Sequence, residues 1–129
     1  MTIPIAVVGA HLAGQPLHHQ LTDRAATLVA TTTTAPVYRM YALATEPAKP
    51  GLVRVADGGD AVEVEVWALA AEHFATFVDG VPAPLTIGRL LLVDGTDVAG
   101  FLCEPIAAVG AEDITEWGGW RAYVARPTP

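Results

Sequence analysis

Residues 62–69 of the chain read VEVEVWAL, which is its clearest strand signal. Valine alternates with glutamate, and successive side chains of a strand point to opposite faces of its sheet. The pattern predicts a half-buried strand whose valines face the core and whose Glu63 and Glu65 lie on a solvated face. The preceding DGGD at residues 57–60 is a strong turn signal. We therefore expect residues 52–56 and 62–69 to pair as a β-hairpin.

The segments on either side of this hairpin predict further strands, one clear helix and a helical tail. Strands are expected at residues 3–8, 26–34, 37–43, 87–93 and 98–102, the last two as a second hairpin, with a helix at 70–78, a loop at 46–51, and a tail at 112–124 that is either one short helix or a helix broken at Gly118-Gly119. This order predicts an α+β domain with a mostly antiparallel sheet that is closed or strongly curved.

The length and composition of the chain favour one globular domain. A chain of 129 residues has the usual size of a domain, so residues 1–129 are expected to form a single one. The sequence is 52% hydrophobic and 16% charged, which is typical of a globular protein and not of a disordered one. The apolar surplus is compatible with an interface, either in a homo-oligomer or against a larger partner.

The charge of the chain excludes some classes of partner. The net charge is −7, from seven basic and fourteen acidic residues, so neither nucleic acid nor an anionic membrane surface is an expected partner. The six arginines and one lysine can still converge on a small anionic ligand. The single cysteine, Cys103, cannot form an intrachain disulfide, and no signal peptide or membrane-spanning run is recognisable. These features predict a cytoplasmic protein.

A histidine near the amino terminus is the first candidate functional residue. Residues 7–21 read VVGAHLAGQPLHHQL and place His11 just after the first predicted strand. Backbone N–H groups in such a turn point away from the strand ladder and can form an anion-binding nest. A histidine beside a nest can exchange protons near neutral pH. The alternative is a histidine that only satisfies a backbone carbonyl, and its position in the sequence leaves both open.

Three basic residues are candidate carboxylate clamps. Arg39 follows Tyr38 on an alternating strand, Arg121 follows Trp120 in the tail, and Lys49 lies between prolines. Guanidinium groups match carboxylates in bidentate fashion. The commoner fate of each is a surface ion pair with one of the fourteen acids. For metals and cofactors the sequence predicts none, because four histidines without ligand spacing and one cysteine form no metal motif.

Seven segments, in order, closely resemble the C-terminal domain of allophanate hydrolase. They are VVGAHLAGQPLHHQL, APVYRMYAL, KPGL, VEVEVWAL, VPAPLTIG, GFLCE and DITEWGGWRAYVA, and they cover about residues 5–125. The resemblance implies a γ-glutamylcyclotransferase-like fold, a small mixed β-barrel with flanking helices. In cyclotransferases a Tyr-Gly-Ser-like loop after the first strand binds the substrate's carboxylate, and a glutamate after the helix serves as acid and base. This chain departs from both features, which argues against cyclotransferase activity. Here residues 8–12 read VGAHL, and Asp79 is the only acid in residues 78–84.

The resemblance also implies an activity. In that family an amidase domain hydrolyses allophanate to N-carboxycarbamate, and the C-terminal domain then releases carbon dioxide. The chain is therefore expected to decarboxylate N-carboxycarbamate or a similar small dicarboxylate in urea and allophanate nitrogen metabolism. It contains no serine, which excludes Ser-Ser-Lys amidase chemistry from it. The alternatives are a non-catalytic module that docks on a separate amidase or binds a small carboxylated metabolite, and a γ-glutamylcyclotransferase-like enzyme.

The role of His11 follows from its position and from the resemblance, whereas the other site residues are named from their residue type and lie in the matching segments. His11 is the implied catalytic residue, which protonates the nitrogen that carbon dioxide leaves. The residues expected to bind the substrate supply backbone N–H groups, cationic clamps or aromatic walls: Gly9, Ala10, Leu12, Tyr38, Arg39, Trp120 and Arg121.

Overall fold

Two sheets and a few short helices make up the computed structural model, which describes residues 1–127. The strands are β1 (Thr2–Val7), β2 (Thr27–Thr33), β3 (Tyr38–Leu43), β4 (Lys49–Arg54), β5 (Glu63–Ala70), β6 (Leu85–Leu91), β7 (Asp97–Cys103) and β8 (Glu112–Asp113). The helices are α1 (His19–Thr22), α2 (Ala71–Asp79), α3 (Pro105–Ala108) and α4 (Trp120–Val124), with a 3₁₀ turn at Thr115–Trp117. None of the helices in this range is long and apolar enough to cross a membrane.

The larger sheet has the strand order β2-β5-β1-β7-β6, and the smaller one has the order β4-β3-β8. Only β1 and β7 pair in parallel among these strands; the other pairs are antiparallel. Ile5, Ala6 and Val7 of β1 are fully buried, as expected for a continuous apolar strand at the centre of a sheet. The fold is therefore mixed α+β and mostly antiparallel, as predicted.

The closed barrel expected from the resemblance does not form within residues 1–127. The edge strands β2 and β6 are joined by one isolated bridge, between Thr34 and Leu92, and not by a ladder. Strands β3 and β4 pair with each other and leave the larger sheet open. The smaller sheet packs closely on β7 at Gly51, where an added Cβ would lie 2.7 Å from the sulfur of Cys103.

The predicted hairpin of residues 52–56 with 62–69 is wrong. Strand β4 pairs with β3, whereas β5 pairs with β1 and β2. The turn between them is fixed by contacts with β3: Asp60 forms a bridge with Tyr38, and an added Cβ on Gly59 would lie 2.5 Å from the carbonyl carbon of Val37. The turn therefore carries the chain from one sheet to the other instead of folding it back on itself.

The structure confirms several other expectations, but residues 112–113, at the start of the expected helical tail, form the short strand β8. The helix α2, the β6–β7 hairpin and the helical break at Gly118 are present, and Gly118 has a φ of 74°. Residues 49–51, expected in a loop, begin strand β4. Pro50 is tolerated there because β4 is an edge strand, where one face of the ladder needs no donor.

Candidate functional site

The turn after β1 is held against the start of β4. Leu12 N–H donates to the carbonyl of Gly9 over 3.0 Å, which closes the turn around Ala10 and His11. An added Cβ on Gly9 would lie 2.1 Å from Cδ of Pro50, so a side chain there would collide with β4. The absence of a side chain at Gly9 thus lets the two segments touch and brings His11 beside Lys49, the residue before Pro50.

The imidazole of His11 is enclosed by aromatic rings. It is 6% exposed, stacks on Phe101 with ring centroids 4.9 Å apart, and meets Phe77 edge to face at 5.1 Å. Its Nε2 lies 2.8 Å from Oε1 of Gln20. Burial lowers the pKa of His11 from 6.5 to about 4, although the Gln20 hydrogen bond works in the opposite direction. The ring is therefore neutral at pH 7 in the protein alone.

Lys49 is a buried cation beside this ring. It is 5% exposed, and within residues 1–127 its ammonium has no ion-pair or hydrogen-bond partner. Every side-chain nitrogen or oxygen that is sealed from solvent in this range does have a partner. Nζ of Lys49 must therefore reach accessible space, and Lys49 and His11 line the same cavity. The positive charge of Lys49 also helps to lower the pKa of His11.

The cavity has a volume of about 210 Å³ and lies between the His11 turn, the segment before β4 and the segment after α2. Besides His11 and Lys49 its walls include Gln20, Glu46 and Val81. A recess of about 10 Å³, lined by Gly9, Ala10 and Phe101, also borders His11 and Lys49. This is about the space of one water molecule or one carboxylate oxygen. The exposed Glu46 is the single acid among the described residues of both walls.

The two predicted arginine clamps are bound to carboxylates and do not line either space. Nη2 of Arg39 lies 2.8 Å from Asp113 on the smaller sheet. Arg121 on α4 lies 2.8 Å from Glu63 and 2.7 Å from Glu65. The structure therefore brings Lys49, and neither arginine, together with His11.

The two predicted aromatic walls belong to the core. Tyr38 is fully buried, and its hydroxyl accepts a hydrogen bond of 2.8 Å from the N–H of Leu91. Trp120 is 3% exposed and packs on Tyr123 with ring centroids 5.3 Å apart. Of the three backbone positions, Gly9 and Ala10 line the small recess, whereas the N–H of Leu12 is already bonded to Gly9.

Glu65 is not solvated, contrary to the prediction from alternation. The residue is 5% exposed and accepts hydrogen bonds from Ala13 N–H at 2.9 Å, Trp67 Nε1 at 3.1 Å and Arg121 at 2.7 Å. Burial would raise the pKa of Glu65, but these donors hold it below its usual value. No local pattern indicates this burial, because Arg121 lies 56 positions further along the chain.

Other parts of the described chain offer less chemistry. A groove of about 420 Å³ runs between the end of β3 and the segment after α3, and Glu112 is its single ionisable residue among those described. No cluster of three or more His, Cys, Asp or Glu in residues 1–127 is placed to hold a metal ion.

The fold and the site define a class of protein, a small α+β domain with two open sheets. The turn after its first strand carries a buried histidine, which lines a cavity together with a lysine. The family model of the allophanate hydrolase C-terminal domain matches residues 3–125, and the chain therefore belongs to that family. The resemblance seen in the sequence is confirmed.

Three relatives illustrate the match. The urea amidolyase of Saccharomyces cerevisiae is 45% identical over 127 residues, which are 95% of this chain and 7% of that protein. The structure of Kluyveromyces lactis allophanate hydrolase matches with a TM-score of 0.92 and 41% identity, over 96% of this chain and 21% of that one. A uropathogenic E. coli-specific protein matches with a TM-score of 0.90 and 34% identity, over 99% of both chains. The chain thus spans a small part of the first two relatives.

Proposed function

We propose that this domain decarboxylates N-carboxycarbamate, or a similar small dicarboxylate, with Lys49 binding a carboxylate and His11 supplying a proton. The observation that carries the proposal is the pairing of an enclosed imidazole with the ammonium of a mostly buried lysine, which reaches accessible space at the same cavity and has no partner in residues 1–127. The relatives named urea amidolyase and allophanate hydrolase support a substrate from urea and allophanate metabolism.

The cavity suits a small anion. Its volume of about 210 Å³ is below the range of drug-sized ligands, which begins at about 300 Å³. Lys49 provides a fixed positive charge in a largely apolar enclosure, where an ion pair with a ligand is stronger than in water. Glu46 at the wall repels a second carboxylate there, so the ligand's charges are best placed near Lys49 and His11.

A dianion would also change the charge of His11. A negative charge about 4 Å from an imidazolium stabilises it by about 4 kcal/mol at an effective dielectric constant of about 20, which is about a thousandfold in protonation. Protonation of His11 is opposed first by burial of the ring and then by the charges of Lys49, His19 and His18. Two ligand carboxylates outweigh them, so we expect the bound substrate to raise the pKa of His11 from about 4 to near neutrality.

The proton moves at a defined atom. Because Oε1 of Gln20 accepts a hydrogen bond, Nε2 of His11 carries a hydrogen, and Nδ1 is the nitrogen that takes up and releases the proton. The bond between the substrate nitrogen and one carboxyl carbon breaks, and its electron pair stays on nitrogen. The proton from Nδ1 goes to that nitrogen, which leaves carbon dioxide, carbamate and a neutral imidazole.

The test generates N-carboxycarbamate in place, from allophanate and a separate serine amidase, and follows release of carbon dioxide with and without this protein. We expect the wild type to accelerate the release and His11→Asn to lose the acceleration. His73→Asn is the matched control, because His73 lies on α2, bonds to the carbonyl of Arg24 and lines neither space at His11. Full activity of His11→Asn would end the proposal. Malonate is a small dicarboxylate that resembles the proposed substrate in charge. Tight binding of malonate by the wild type, without accelerated release of carbon dioxide from N-carboxycarbamate, would favour the alternative of a carboxylate-binding module.

A further inference from the structure

Ala13, which follows His11 by two positions, is bonded on both sides of its backbone to one ion pair. Its N–H donates to Oε1 of Glu65 over 2.9 Å, and its carbonyl accepts from Nη2 of Arg121 over 2.8 Å. The same Nη2 lies 2.7 Å from Oε2 of Glu65. The ion pair and the loop backbone therefore form one closed ring of hydrogen bonds.

The ion pair is itself fixed to the rigid part of the fold. Glu65 lies on β5, the strand between β1 and β2, and Trp67 of the same strand donates to it. Nη1 of Arg121 bonds to Glu63 over 2.8 Å, and the N–H of Glu63 donates to the carbonyl of Gly118 just before α4. Sheet and tail thus hold the guanidinium from two sides.

The loop that this ring holds is the one that buries His11. The carbonyl oxygen of His11 lies 2.8 Å from Nδ1 of His18, and the ring of His11 lies between Phe77 and Phe101. A loop released from β5 would let water reach the ring, and desolvation is the main reason for its low pKa. The charges that act on His11 are those of Lys49, His19 and His18. The ion pair therefore acts through loop position and not through its own field.

We propose that Arg121 is a positioning residue that fixes His11 through the backbone of Ala13, and that it does not bind substrate. The part of this inference that concerns turnover rests on the proposed function. The part that concerns the placement of His11 does not.

The first measurement is an NMR pH titration of the His11 ring in Arg121→Gln, with Arg39→Gln as the matched control. Both arginines pair with a carboxylate, but the hydrogen bonds that Arg39 makes within residues 1–127 go to Asp113 and Gly58 and not to the His11 loop. We expect the pKa of His11 to rise to about 5 or above in Arg121→Gln, because the ring gains water. It should stay at its wild-type value in Arg39→Gln. An unchanged His11 pKa in folded Arg121→Gln overturns the inference.

Two further variants keep the test decisive if Arg121→Gln does not fold. In Arg121→Lys the ammonium can reach one acceptor but cannot span Glu65 and the carbonyl of Ala13 as the guanidinium fork does. In Glu65→Gln the acceptor for Ala13 N–H remains while the charge is lost. Both should raise the pKa of His11 by less than Arg121→Gln would. A wild-type pKa in both variants also overturns the inference.

Kinetics separate positioning from substrate binding. A positioning role predicts that Arg121→Lys lowers kcat with little change in KM and moves the pH profile with the His11 pKa. A carboxylate clamp predicts a raised KM at unchanged kcat, and that result would overturn the inference. If the domain shows no decarboxylation at all, the proposed function fails, and the NMR titration still decides the role of Arg121.

Discussion

Lys49 at the cavity after β1 differs from Arg39 and Arg121 in whether its positive charge is paired with a carboxylate. At the cavity, Lys49 is 5% exposed and has no anionic partner within residues 1–127. Arg39 and Arg121 each hold a carboxylate, at 2.8 and 2.7 Å. A cation that is already paired has little to gain from a ligand, whereas an unpaired cation at a cavity can form a new ion pair with it. Lys49 is therefore the group that a bound carboxylate should use.

Lys49→Met tests this difference most strongly. Loss of a buried charge that contacts a ligand costs about 3 kcal/mol, or roughly a hundredfold or more in affinity. We expect malonate binding, measured by calorimetry, to weaken by that factor, while Arg39→Met binds as the wild type does. The stability of Lys49→Met should change little, because the ammonium has no partner in residues 1–127 and its removal breaks no ion pair. Unchanged malonate affinity in Lys49→Met would show that the carboxylate binds elsewhere.

Ion pairs on the larger sheet should differ in stability according to their burial. Glu65→Ala removes a carboxylate whose side chain is 7% exposed. Ala13 N–H then loses its acceptor, and Arg121 keeps Glu63 and the carbonyl of Ala13 but loses one of its two carboxylates, so we expect a loss of about 3 kcal/mol. Asp97→Ala breaks the pair with Arg89, whose side chains are 54% and 65% exposed, and should cost less than about 1 kcal/mol. Urea denaturation of both variants checks the contrast. Equal losses would contradict the structural role given to Glu65.

Acid should destabilise the protein through His11. Its pKa is about 4 in the folded chain and 6.5 as the ordinary value, so the unfolded chain binds more protons between these pH values. The free energy of unfolding therefore decreases as pH falls from about 6.5 to about 4, and this group contributes about 3 kcal/mol of that decrease. His11→Asn should lack this part of the acid loss in denaturation measured across the same pH range. A parallel pH dependence in wild type and variant would show that His11 is not buried as described.

The smallest effect is expected at the cavity wall. Glu46→Gln removes the exposed acid beside the site and should tighten malonate binding a few-fold, because exposed charges interact weakly. High salt should abolish the gain by screening. Weaker binding in Glu46→Gln would mean that Glu46 takes part in holding the ligand.

Local patterns predicted the elements that local contacts determine. Strand β1 and helix α2 follow from an apolar run and from helical spacing, and the β6–β7 hairpin follows from two apolar runs on either side of Asp94-Gly95, a turn signal. The pairing of β4 and β5 was mispredicted because the intervening turn is fixed by a bridge from Asp60 to Tyr38, far back in the chain. No local pattern reports such a contact.

The candidate site divides in the same way. His11 could be named from its place after β1 and from the family resemblance. Lys49 was one of three basic candidates, but Arg39 and Arg121 were the two expected to bind the substrate. Which of the three basic residues can bind a ligand depends on which of them are already paired with acidic side chains. Such pairs are not local, since Glu65 and Arg121 are 56 positions apart in the sequence. Burial of Glu65 was missed for the same reason, because alternation alone places it on a solvated face.

The most direct test is the pH titration of the His11 ring by NMR, without ligand and in saturating malonate. If Lys49 and His11 together form the anion site, the pKa of His11 is about 4 in the free protein and rises to near neutrality in the complex. Identical titration curves with and without bound malonate would contradict the account.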